Sequence, residues 1–103
     1  MTEHRITITW KDNAAVLVPA NTTLRIGDTV VYVTEPPDRP FRVEFPPSPF
    51  TSEPAFIIDD SYPRTVSQEG RFKCRCFITP PDGQEVGWCP DAPEAGGEHD
   101  VKP

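Results

Sequence analysis

Proline accounts for 14 of the 103 residues, and this narrows the fold more than any other feature of the chain. A proline ring removes one backbone donor and collides with the preceding turn of a helix, so long helices are disfavoured. Within sheets proline is confined to edges, bulges and strand ends. Glycine is ordinary at six residues and shows no period, which excludes a collagen-like repeat. The chain therefore has to be built from short extended segments separated by proline-rich loops.

Apolar residues recur with period two, the signature of half-buried strands. Ile6, Ile8 and Trp10 alternate with Arg5, Thr7 and Thr9, and Lys11-Asp12-Asn13 turns the chain. Val16-Leu17-Val18 is a short apolar run stopped by Pro19, and Leu24 and Ile26 lead to a Gly27-Asp28 turn. Thr29 to Thr34 is the most β-prone segment, ended by Glu35-Pro36-Pro37-Asp38-Arg39-Pro40. Phe41, Val43 and Phe45 alternate with Arg42 and Glu44. Residues 46–55 carry four prolines and read as a surface loop, with Phe50 as a plug onto the core. Phe56-Ile57-Ile58 and Arg64-Thr65-Val66 are short strands. After Gly70, the residues Phe72, Cys74, Cys76 and Ile78 share an inner face, while Arg71, Lys73 and Arg75 share the outer one. Pro80-Pro81-Asp82-Gly83 turns the chain, residues 88–97 form an acidic Pro/Gly-rich loop or tail, and Glu98 to Lys102 return as a last edge strand.

Seven to nine short strands in about 100 residues predict one all-β domain over residues 1–103, an antiparallel Greek-key β-sandwich. A chain this short buries only about two-thirds of its extended surface, so one modest core is expected. A net charge of −6 disfavours phosphate backbones, so nucleic acid is not an expected partner. Arg39, Arg42, Arg71, Lys73 and Arg75 read as solvated strand faces rather than a basic patch. No apolar stretch reaches the ~20 residues of a membrane span. The N-terminal Met1-Thr2-Glu3-His4-Arg5 has no signal-peptide core, so the chain as given reads as cytoplasmic; a mature exported form would be periplasmic or secreted.

The order of these features resembles the cupredoxins over nearly the whole chain. Leu24-Arg25-Ile26-Gly27-Asp28-Thr29-Val30 is similar to the family's entry into a core strand. Pro40-Phe41-Arg42-Val43-Glu44-Phe45 matches the stretch in which a histidine follows the proline and binds copper. Gly70-Arg71-Phe72-Lys73-Cys74-Arg75-Cys76 matches the strand that ends on the copper cysteine, which the resemblance places at Cys76. It places the second copper histidine at Thr79, and no methionine follows, since Met1 is the only one. A blue-copper site needs two imidazoles and a thiolate around the metal with a weak axial ligand. Of those four the chain keeps only the cysteine, so the resemblance implies the fold without blue copper.

Three cysteines leave at least one thiol outside any intrachain disulfide. Cys74 and Cys76 lie two apart on one strand, with Cα atoms ~6.5–7 Å apart, which is poor geometry for a disulfide between them. They read as small buried hydrophobes. A disulfide from one of them to Cys89 is a second possibility, and a Cys₃His metal set of Cys74, Cys76, Cys89 and His99, holding copper or zinc, is a third. Trp88 is the aromatic expected at the surface, whereas Trp10 falls on the core face. No nucleophile–base motif, phosphate loop or zinc-protease helix is present, and Asp59-Asp60 before Ser61-Tyr62-Pro63 reads as a turn rather than an acid–base pair. The expected function is a non-catalytic, cofactor-free module that binds another protein or builds an assembly. The alternative is a metal-binding protein that uses the cysteine cluster for storage or electron transfer.

Overall fold

The computed structural model describes residues 2–11, 14–45, 48–51, 56–87 and 96–103. Their extended segments are β1 (Glu3–Lys11), β2 (Ala14–Val18), β3 (Asn21–Arg25), β4 (Thr29–Thr34), β5 (Phe41–Phe45), β6 (Phe56–Ile58), β7 (Arg64–Thr65), β8 (Gly70–Ile78) and β9 (Gly96–Lys102). They form two sheets, one in the order β2-β1-β4-β7 and the other in the order β3-β9-β8-β5-β6. The chain crosses between the sheets after β2, β3, β4, β6 and β7, and the β-sandwich expected from the alternation is the architecture found. Among the described residues no helix is long and apolar enough to cross a membrane.

Strand burial follows the period-two pattern. Ile6 and Ile8 of β1, Leu17 of β2, Leu24 of β3, Val30 and Tyr32 of β4, and Val43 and Phe45 of β5 face the core. Ala15, Ile58, Val66, Phe72, Cys74, Cys76, Ile78 and Val101 complete it. Trp10, Phe41, Phe50, Phe56 and Val86 are partly buried and pack against this cluster. Phe50 lies edge-on to both Tyr32 and Phe45, so it plugs the loop onto the core as the sequence predicts. On the outer face of β8, Arg71 stands opposite Asp100, Lys73 opposite Glu98, and Arg75 opposite Glu44. Opposite charges directly across a ladder are favourable. The arginine and lysine stripe is thus an interleaved, solvated sheet face.

Two pairings are parallel, β1 with β4 and β3 with β9, and the others are antiparallel. The Gly27-Asp28 turn sets up the first of them. Gly27 has φ +96°, and the Asp28 N–H donates to the Arg25 carbonyl at 3.0 Å. Glycine takes this left-handed backbone without a Cβ penalty. The Asp28 carboxylate then accepts the N–H groups of Thr2 and Arg25, each at 3.0 Å, and meets His4 Nε2 at 2.9 Å. These donors, His4 first, pull the Asp28 carboxyl down to about 2. One side chain therefore ties the start of β1 beside the start of β4.

The last strand corrects the sequence expectation. β9 is not at an edge; it lies between β3 and β8. Its alternating Glu98, Asp100 and Lys102 resemble an exposed edge, but those residues cover only the outer face, while His99 and Val101 point into the core.

Candidate functional site

The positions singled out by the copper resemblance meet at one end of the five-stranded sheet. β5 and β8 pair so that Phe41 is opposite Ile78 and Val43 is opposite Cys76. Immediately beyond, the Thr79 N–H donates to the Pro40 carbonyl at 2.8 Å, and Arg39 Nε donates to the Thr79 carbonyl at 3.1 Å. The Arg39 N–H in turn donates to Thr34 Oγ1 at 3.2 Å. Phe41 and Thr79 are thus neighbours across one ladder end, as a shared site requires. Phe41 uses its ring to pack against the core cluster.

The segment after Thr79 is held down from both sides. Ile78 and Val86 exchange backbone hydrogen bonds of 2.9 and 2.8 Å, and the Ala15 N–H donates to the Gly87 carbonyl at 3.0 Å. Arg42 lies 3.9 Å from the centre of the Phe77 ring and pairs with Glu44 at 3.0 Å and Glu85 at 2.5 Å. These carboxylates, Glu44 first, raise the Arg42 guanidinium above its ordinary value. A Cβ at Gly87 would overlap the Phe77 ring, so that ring packs against both the Gly87 backbone and the Arg42 guanidinium.

Cys74 and Cys76 are buried thiols and neither is in a disulfide. Burial pushes each up to about 12; for Cys74 the neighbouring Cys76 adds to this, and the Gly97 backbone opposes it. At neutral pH both are protonated in the metal-free chain, and the thiolate, not the thiol, is the nucleophilic form. Cys89 and Trp88 lie outside the described residues. His99, the remaining member of the expected metal set, is fully buried, and its Nε2 lies 2.7 Å from the Tyr32 hydroxyl. It stacks near-parallel to Tyr32 and packs tilted against Phe45. Burial lowers its pKa to about 4, opposed by the Glu98 backbone and helped by His4. Among the described residues no three His, Cys, Asp or Glu side chains converge as metal ligands do. The cysteines and His99 share the inner face of the sheet, but the imidazole nitrogen that points inward is engaged by a phenol.

Sequence reasoning missed the Tyr32–His99 pair. The signal was present in the period of β9, where His99 and Val101 take the positions between charged residues. Asp60 accepts from Arg64 Nη2 at 2.9 and 3.0 Å and from the Tyr62 N–H at 3.1 Å, which is the expected turn.

A shallow cleft of about 180 Å³ opens at the same end, lined by Val33, Thr34, Pro37, Asp38, Arg39, Phe41 and Ser61. It lies between the loop after β4 and the loop before β7.

No protein-family model matches the chain. No curated protein matches it in sequence. Solved structures do match in fold. A pseudoazurin from Sinorhizobium superposes with a TM-score of 0.58 at 19% identity, over 100% of this chain and 76% of that one. Native pseudoazurin from Hyphomicrobium denitrificans gives 0.58 at 19% identity, over 96% and 74%. A reduced amicyanin variant gives 0.53 at 16% identity, over 95% and 82%. The fold is that of the cupredoxins.

Within the cupredoxin fold the donor set decides which metal chemistry is possible. Blue copper requires two imidazoles and one thiolate at the metal. At the two imidazole positions implied by the resemblance this chain has a phenyl ring and a threonine, neither of which has a nitrogen to offer. His99 is committed to Tyr32 in the core, and His4 to Asp28 at the start of β1. The residues present do not fit a blue-copper centre.

Proposed function

We propose that the chain is a non-catalytic cupredoxin-fold module without blue copper that works by association with another protein. The observation that carries this reading is the juxtaposition of Phe41 and Thr79. The ladder end where the resemblance places two imidazoles is built from a core-packed ring and a backbone hydrogen bond to Pro40. A protein-binding role is supported by exposed apolar side chains. Ile57 and Tyr62 are exposed at 55% and 73%, and the short strand β6 stands at the margin of its sheet. Large exposed apolar side chains and a free sheet edge suit contact with another protein surface.

The reading accommodates a reducing or an oxidising compartment, because both described thiols are buried. Soft-metal binding by Cys74, Cys76, Cys89 and His99 has weaker support, since His99 is engaged by Tyr32. The test is a Cu(II) titration of the wild-type chain beside the double variant Phe41→His with Thr79→His. The reading expects the variant to gain affinity and the wild type to bind only weakly, without a stable blue species.

A further inference from the structure

The cleft at the Phe41 end is small for a ligand of its own. Small-molecule and cofactor sites usually enclose about 300–1,000 Å³, and this one encloses about 180 Å³. That is the scale of a single aromatic ring: an apolar cavity of roughly 150 Å³ accepts benzene. Its apolar lining is Val33, Pro37 and Phe41, and its polar lining includes Asp38 and Arg39. A side chain with a ring and one polar tip matches that mixture, with Asp38 available to accept a phenolic hydroxyl. Tyrosine is such a side chain.

The chain displays one beside the cleft. Ser61 lines the cleft, and the next residue, Tyr62, is the most exposed of the large apolar side chains at 73%. Its backbone is fixed on both sides. The Tyr62 N–H is bonded to Asp60 Oδ1 at 3.1 Å, Asp60 is clamped by Arg64, and Pro63 follows. Held this way, the ring stays in solvent and does not enter its own cleft. A cleft and a projecting ring side by side on one surface are self-complementary under a two-fold axis, because each copy then offers its ring where the other offers its cleft. The two lining charges agree with this: Asp38 and Arg39 are adjacent and opposite in sign, so two copies facing each other can pair each with its counterpart.

We infer that the cleft is a socket for the Tyr62 side chain of a second copy of this chain, so that two copies exchange tyrosines. The inference deepens the protein-association reading and rests on it. Tyr62→Ala removes the ring and Ser61→Trp fills the socket, and both positions are exposed, so neither change touches the core.

The test is sedimentation equilibrium of the full chain from micromolar to millimolar concentration. The wild type is expected to dimerise reversibly. Each variant alone should weaken the dimer by about 30-fold or more, the usual cost of losing a buried aromatic anchor. An equimolar mixture of the two variants should recover part of the association, because one intact tyrosine then meets one intact socket. Concentration-dependent ring-current shifts of the Val33 methyl groups, lost in Tyr62→Ala, report the same event without relying on the variants' stability. A wild-type chain that stays monomeric at millimolar concentration overturns the exchange, and so does a dimer that Tyr62→Ala leaves unchanged. Neither outcome bears on the absence of blue copper, which fails only if wild-type protein turns blue.

Discussion

His99 and Tyr32 join the two sheets of the sandwich through a 2.7 Å contact between Nε2 and the phenolic hydroxyl, and neither residue is exposed to solvent. The imidazole is neutral there. With the hydroxyl donating to Nε2, the ring proton sits on Nδ1, which has no hydrogen-bond partner among the described residues. Burial disfavours a second proton on the ring, and the electrostatic influence of His4 on β1 adds to this.

This pair makes the fold sensitive to acid. Burial holds the folded-state pKa of His99 at about 4, below the ordinary 6.5. The unfolded chain therefore binds the proton first, and stability is intact above pH ~6.5, falls as pH drops towards ~4, and changes no further from this cause below that. Between pH 7.5 and 4.5 the loss should be about 2–3 kcal/mol. Denaturant titrations at the two pH values measure it, and a His99→Gln variant should show a much smaller difference. An equal pH dependence in the variant would assign the loss to other groups. Asp28, held at about 2 against an ordinary 3.8, adds its own loss progressively from about pH 5 downward.

The register of β8 makes neighbouring substitutions unequal. Phe72 is buried and Arg71 is exposed. Phe72→Ala should cost ~3–5 kcal/mol, and Arg71→Ala no more than ~0.5. Equal losses in urea would place the strand one residue out of register.

Gly97 of β9 sits against Leu17 of β2 and Cys74 of β8. A Cβ there would overlap Leu17, lie 3.0 Å from Cys74 Sγ and lie 3.2 Å from the Ala20 carbonyl oxygen. The carbonyl is backbone and cannot rotate away. Gly97→Ala should therefore destabilise by roughly 1–3 kcal/mol, lowering the melting temperature by about 4–8 °C for each kcal/mol. An unchanged melting temperature would mean that the strands can separate at this point without cost.

How far the sequence alone carries the account depends on whether a feature is local. The alternation in β1, β5 and β8 assigns each side chain to a face, because a two-residue period needs no knowledge of the partner strand. Gly27-Asp28 and the Asp60 turn are legible for the same reason: their hydrogen bonds close within a few residues. The parallel pairing of β1 with β4 is not local, and neither is the central place of β9; charged residues on one face of a strand look alike at an edge and in the middle. The Tyr32–His99 contact spans 67 positions. The cleft combines β4, the loop after it, Phe41 and Ser61, which no spacing rule connects.

Cys74 and Cys76 should be slow to react. Both are buried thiols whose pKa is raised to about 12, so little thiolate exists at neutral pH and a reagent has no path to it. Alkylation followed by peptide mapping should find both unmodified in the native chain and both modified after unfolding in denaturant. Rapid native labelling of either would contradict the buried placement of the inner face of β8.

The most direct measurement of the central claim is the optical spectrum of wild-type protein with one equivalent of Cu(II). Phe41 and Thr79 stand where the resemblance asks for imidazole, and a single thiolate at Cys76 cannot hold Cu(II) in a stable trigonal site. The account predicts no intense charge-transfer band near ~600 nm, with copper either reduced or weakly bound. A strong, stable blue band in the wild-type chain would contradict it, because two nitrogen donors would then have to reach Cys76 from residues this account places elsewhere.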